Sequence, residues 1–81
     1  MTKEEIRKKV VPIVAKYLCE DESGIDTNAD MRDTSGADSL DIVGMTMDVE
    51  RAFGISISND AVESFNTAQD IIDEVKRNIL D

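Results

Sequence analysis

The sequence predicts an all-α protein: a small four-helix bundle of three longer helices and one short one, formed by residues 1–81 as a single domain. Three observations predict it. Apolar residues recur three and four apart through most of the chain, and no run alternates with period two for long enough to build a sheet. Thr2, Asp38 and Thr67 stand where helix N-caps are needed, each with an acid three residues on. At 81 residues the chain buries only roughly 60% of the surface its unfolded form exposes, so no large enclosed active site is expected.

Thr2 and Glu5 have capping-box form, and Ile6, Val10, Ile13 and Tyr17 then line one face, widened by Val14 and Leu18. The first helix is therefore expected from Lys3 to Leu18. Pro12 lies inside it without the N–H that would bond the Lys8 carbonyl, which predicts a kink or a helix regular only after Pro12. Residues 20–38 are polar and rich in Ser, Gly, Asn and Asp, with Ile25 and Met31 as the sizeable apolar anchors; they read as a long loop. Asp38 caps the second helix, placing Ser39 at its first position and Asp41 at its third, and Gly54 ends it after Phe53. Asn59 to Phe65 forms a short helix that needs tertiary support. Thr67 caps the last helix, in which Ala68, Ile71, Ile72, Val75 and Ile79 share a face. Phe53 and Phe65 read as core. With some fifteen apolar side chains to bury, at about 1.5 to 3 kcal/mol each, the bundle offsets chain entropy only narrowly.

The net charge of −9 is unevenly spread. Residues 1–19 carry five bases and two acids, for +3; residues 20–41 carry eight acids and one base, for −7; the remainder carries −5. This balance argues against nucleic acid as a partner, since phosphate backbones need clustered Lys and Arg, and favours partners with basic surfaces. No apolar run approaches the ~18 residues of a membrane span, and residues 1–10 contain no signal-peptide core, so no membrane insertion is expected. The single cysteine, Cys19, cannot form an internal disulfide, which suits a cytoplasmic protein. With one cysteine and no histidine, no structural zinc site is expected.

Ser39, between Asp38 and Leu40, is the residue that calls for an explanation. It has no histidine to activate it, and no lysine lies between Lys16 and Lys76, so no catalytic residue is expected in this chain. A hydroxyl in the first turn of a helix is instead well placed for modification by another enzyme, because the free N–H groups and the positive helix end favour a phosphate ester there. Asp38 and Asp41 would repel that anion unless a metal or a basic partner stood between them. The second helix also carries two apolar stripes. Ile42, Met45, Val49 and Phe53 form a core face, whereas Leu40, Val43 and Met47 form a second face beginning beside Ser39, bordered by Asp41, Asp48 and Glu50.

The stretch "GADSLDIV" followed by "MDVERAFGISI", together with the Thr-x-x-Asp start at "TAQDII", resembles the acyl carrier proteins over nearly the whole chain. The resemblance implies a bundle of acyl-carrier type and a phosphopantetheine arm on Ser39, donated from coenzyme A by a phosphopantetheinyl transferase with magnesium. It implies a monomeric carrier, with no catalysis of its own, that holds acyl groups as thioesters in fatty-acid or related specialised lipid or polyketide biosynthesis. Asp38, Leu40, Asp41, Val43, Met47 and Glu50 would then form the surface offered to acyl-transferring and chain-extending enzymes with basic patches, and the acyl chain would shelter between the helices. Several positions depart from the family pattern. Ser35 replaces a usual Leu, Gly44 a usual Glu, Met45 and Thr46 a usual Leu and Val, Asp48 a usual Ala, and Ser58 a usual Pro. The departures suggest a specialised carrier whose partners do without a central acid on the second helix.

Two other classes compete. Residues 26–37, "DTNADMRDTSGA", supply acids or amides at positions 1, 3 and 5 of a calcium loop, but Met31 and Ala37 stand where that loop needs its glycine and its bidentate glutamate, so no specific metal site is expected. An acidic helical interaction module, with Ser39 a plain first-turn residue, is the other. Within the carrier class the cargo could be aminoacyl, although Asp38 before Ser39 is more similar to the acyl type than to the Gly-Gly-His-Ser pattern of peptidyl carriers.

Overall fold

The computed structural model describes residues 1–34 and 36–79, which contain five α-helices and no strand. The helices are α1 (Lys3–Leu18), α2 (Met31–Thr34), α3 (Ser39–Phe53), α4 (Asn59–Ser64) and α5 (Ala68–Asn78), with one 3-10 turn at Glu22–Gly24. The three long helices have the expected starts. Thr2 and Glu5, Asp38 and Asp41, and Thr67 and Asp70 all form complete capping boxes, each satisfying two backbone N–H groups that a helix start would otherwise leave unpaired.

α1 packs along both α3 and α5, and α4 packs against α3. The core between them contains Ile6, Val10 and Val14 of α1, Ile42, Met45 and Val49 of α3, Phe65, and Ala68, Ile71, Ile72 and Val75 of α5. Phe53 and Ile79 pack at its edge rather than inside it. α1 is helical from end to end, so the reading in which it becomes regular only after Pro12 is set aside. Val10 and Val14 are both fully buried on either side of Pro12, and this anchoring holds the helix through the one missing N–H.

The 20–38 segment is more structured than its composition suggests. Asp30 Oδ1 accepts the N–H groups of Arg32 and Asp33 and so opens the single turn of α2. Met31, expected as an anchor, is buried, and its N–H bonds the Asn66 carbonyl at 2.8 Å. The Gln69 N–H bonds the Thr27 carbonyl at 2.8 Å, tying the same segment to the start of α5. The Ala37 N–H then bonds the Met31 carbonyl at 3.1 Å. These bonds fix where the chain enters α3, and therefore where Ser39 stands. Ser35, one of the departures from the family pattern, lies outside the described residues.

Candidate functional site

Ser39 is the first residue of α3 and is exposed. Asp38 Oδ1 accepts the Asp41 N–H at 3.0 Å, and Asp41 Oδ2 accepts the Asp38 N–H at 3.2 Å. Each carboxylate thus spends one oxygen on the backbone beside Ser39. The Ser39 hydroxyl itself makes no hydrogen bond among the described residues. A free hydroxyl at the positive end of a 15-residue helix fits esterification by a phosphate group.

The stripe that begins beside Ser39 faces solvent. Leu40 is 80% exposed, Val43 44% and Met47 48%, and they are the large apolar residues that the described surface leaves most open. Ile42, Met45 and Val49 on the opposite side of α3 are fully buried, so the helix divides its two stripes between core and solvent. Glu50, the last of the sequence-predicted site residues, is half-buried, and its Oε2 accepts the Ile57 N–H at 2.7 Å. It braces the segment after Gly54 as well as standing at the edge of the stripe. Gly54 adopts a left-handed φ of 66° as the helix C-cap, which a residue without Cβ does at no steric cost.

Four of the departures from the family pattern have partners inside the chain. A Cβ on Gly44 would lie 2.6 Å from Cε2 of Tyr17, so glycine is what lets the α1 ring lie directly on α3. The Tyr17 hydroxyl donates to Asp48 Oδ2 at 3.0 Å, and Lys16 Nζ donates to the same oxygen at 2.9 Å. Arg51 donates to Asp48 Oδ1 at 3.2 Å. The Lys16 and Tyr17 hydrogen bonds hold the Asp48 carboxyl below the usual carboxylate range. Burial, reinforced by the bond to Asp48, pushes the Tyr17 phenol up, and the Asp48 bond raises Lys16. Thr46 is buried with its hydroxyl donating to the Ile42 carbonyl at 2.7 Å, and Ser58 caps α4 by accepting the Ala61 N–H at 3.2 Å. Met45 simply fills the core. Sequence spacing within one helix had no means of linking Tyr17 to Gly44 and Asp48, because the contact joins α1 to α3. The signal was present only as a coincidence: a glycine inside a helix and an acid four residues later.

An apolar gap of about 100 Å³ lies between the end of α1, the 24–31 segment and the start of α5, lined by Val14, Leu18, Ile25, Met31 and Ala68 with Glu20 and Asp26 among its polar lining. Among the described residues no three His, Cys, Asp or Glu side chains gather as a metal site, and no helix is long and apolar enough to cross a membrane.

The family model of the phosphopantetheine attachment site matches residues 8–75. Acyl carrier proteins of Thermotoga maritima and Rubrobacter xylanophilus are 36% and 39% identical to the chain, over 96% and 93% of each partner in the comparison. This chain belongs to the acyl carrier protein family. It is a carrier of acyl groups, and its cofactor is phosphopantetheine, whose thiol holds the cargo as a thioester. A solved acyl carrier protein from Enterococcus faecalis matches this carrier with a TM-score of 0.79 at 25% identity, covering 98% of this chain and 100% of that one.

Proposed function

We propose that Ser39 is the attachment residue of the phosphopantetheine arm and that α3, read downward from it, is the surface this carrier shows to its enzymes. The observation that carries the reading is the free, exposed hydroxyl at the first position of α3, set between two aspartates already fixed by a capping box. Residues 1–81 act as one carrier domain. The chain contributes no catalysis; without histidine, Ser39 has no base to make it a nucleophile, so it is the substrate of a phosphopantetheinyl transferase that brings its own magnesium. Asp38 and Asp41 each keep one oxygen outside the capping box, which a cation supplied by that enzyme would meet.

Acyl-transferring and chain-extending enzymes then meet Leu40, Val43 and Met47 as an apolar seat, with Asp38, Asp41 and Glu50 answering basic groups around it. The carrier works as a cytoplasmic monomer, in fatty-acid or related specialised lipid or polyketide biosynthesis. Gly44, Thr46, Asp48 and Ser58, four of its departures from the family pattern, also have partners within the fold. Replacing the gene in its host with a Ser39→Ala version tests the assignment: loss of carrier-dependent product is expected. Full retention of function would contradict it and favour an acidic interaction module, and a Ser39-dependent aminoacyl thioester would point to the aminoacyl cargo.

A further inference from the structure

The solvent face of α3 carries carboxylates at its Ser39 end and exposed cations on one flank of its other end. Leu40, Val43, Met47 and Arg51 fall within roughly 80° of the helix circumference and span about 17 Å of its axis. Asp38 and Asp41 stand at the Ser39 end. On one flank of the other end the carboxylate of Asp48 is covered: its side chain is 18% exposed, whereas those of Lys16 and Arg51, both bonded to it, are 67% and 73% exposed. Two exposed cations therefore overlie one covered anion, so this flank is locally positive even though Glu50 leaves the end as a whole without net charge. Glu50, on the other flank of Met47, is half-buried and turned to the Ile57 N–H.

Resting on the carrier reading, we propose that the enzymes served by this carrier present a bipolar docking site: basic groups beside the active-site entrance, an apolar seat for Leu40, Val43 and Met47, and a carboxylate about 15 Å farther on that receives Arg51 and Lys16. A uniformly basic patch would meet like charge where Arg51 and Lys16 stand. Tyr17 and Gly44 take part by fixing this end in place, since the ring packed on Gly44 delivers the hydroxyl that holds Asp48 beneath its two cations. Arg51 is then a specificity-determining residue. A helix-dipole role for a last-turn base accounts for its stability effect but not for any effect on partner affinity.

The test uses the full-length carrier with its phosphopantetheine attached and the acyl-transferring and condensing enzymes of its host. KM and kcat are measured for wild type, Arg51→Glu, Arg51→Gln and Arg51→Lys, with each variant's melting recorded. Expected is a rise in KM of about tenfold for Arg51→Glu, equivalent to about 1.4 kcal/mol, with kcat little changed, a smaller rise for Arg51→Gln, and rescue by Arg51→Lys. A KM for Arg51→Glu that falls or changes by less than about threefold with every enzyme overturns the proposal; should that variant melt below the assay temperature, Arg51→Gln decides by whether its KM rises at all. Failure of the wild-type chain to accept phosphopantetheine on Ser39 is a different result, and it would refute the carrier assignment of that residue instead.

Discussion

Gly44→Ala separates two accounts of the glycine by the sign of its effect. On an open helix surface the change removes a helix-weakening glycine and stabilises by about 1 kcal/mol. Here the new methyl carbon would lie 2.6 Å from Tyr17 Cε2 and 3.1 Å from both Cζ and the hydroxyl oxygen. Carbon atoms pack at about 3.5 to 4.0 Å, so the ring must retreat by about 1 Å. A retreat of that size breaks the 3.0 Å bond from the Tyr17 hydroxyl to Asp48. Overpacking of this kind costs about 1 to 3 kcal/mol, so the net effect in the wild-type chain is neutral to about 2 kcal/mol destabilising. In a Tyr17→Ala background the obstruction is gone, and the same change should stabilise by about 1 kcal/mol, or roughly 4 to 8 °C in Tm for a chain this small. Far-UV circular dichroism during thermal and urea unfolding of the four proteins gives the cycle. An equal gain in Tm in both backgrounds would refute the reasoning, because it would mean that the ring does not lie on Gly44.

Tyr17 is the only tyrosine and the chain has no tryptophan, so absorbance near the tyrosinate band reports its titration alone. The native midpoint is expected above the ordinary value of about 10 and lower in Asp48→Asn, where the burial contribution remains and the bond to the carboxylate is lost. Because the Tyr17 and Lys16 values are raised in the folded chain, their stabilisation is full below about 10 and is lost as the pH rises through the folded values; the depressed Asp48 acts in the opposite direction, stabilising above about 4 and losing its effect as the pH falls. Urea unfolding across pH should therefore show Asp48→Asn losing most of its deficit at both extremes, and a deficit constant with pH would contradict this. Thr67→Ala removes the α5 cap and should cost about 0.5 to 2 kcal/mol in urea unfolding without changing phosphopantetheine loading, whereas Asp38→Ala should cost a similar amount and slow loading as well. Given the net charge of −9, Tm should rise from about 10 mM to 150 mM salt as self-repulsion is screened, and a flat profile would show that repulsion is not limiting stability.

Helix starts were legible because caps and apolar spacing are local properties. Thr2, Asp38 and Thr67 all cap as their sequences predict, and the stripes of α3 divide between core and solvent as expected. What sequence could not supply were contacts between distant segments. α2 forms because Met31 is held by the Asn66 carbonyl while Asp30 caps the turn, a combination invisible within residues 20–38. The same holds for Gly44 and Asp48: besides departing from the family pattern on the partner-facing helix, they are the seat of the Tyr17 ring and the base of a cationic pair. Cys19 takes a left-handed φ of 55° at the end of α1, a conformation no local signal announced.

Intact mass shows whether Ser39 carries the arm. Wild type and Ser39→Ala are each incubated with coenzyme A, magnesium and a broad-specificity phosphopantetheinyl transferase under reducing conditions, which remove any mixed disulfide on exposed Cys19. The wild type is expected to gain one phosphopantetheine and Ser39→Ala none. A gain that persists in folded Ser39→Ala, or no gain by folded wild type with several transferases, would contradict it.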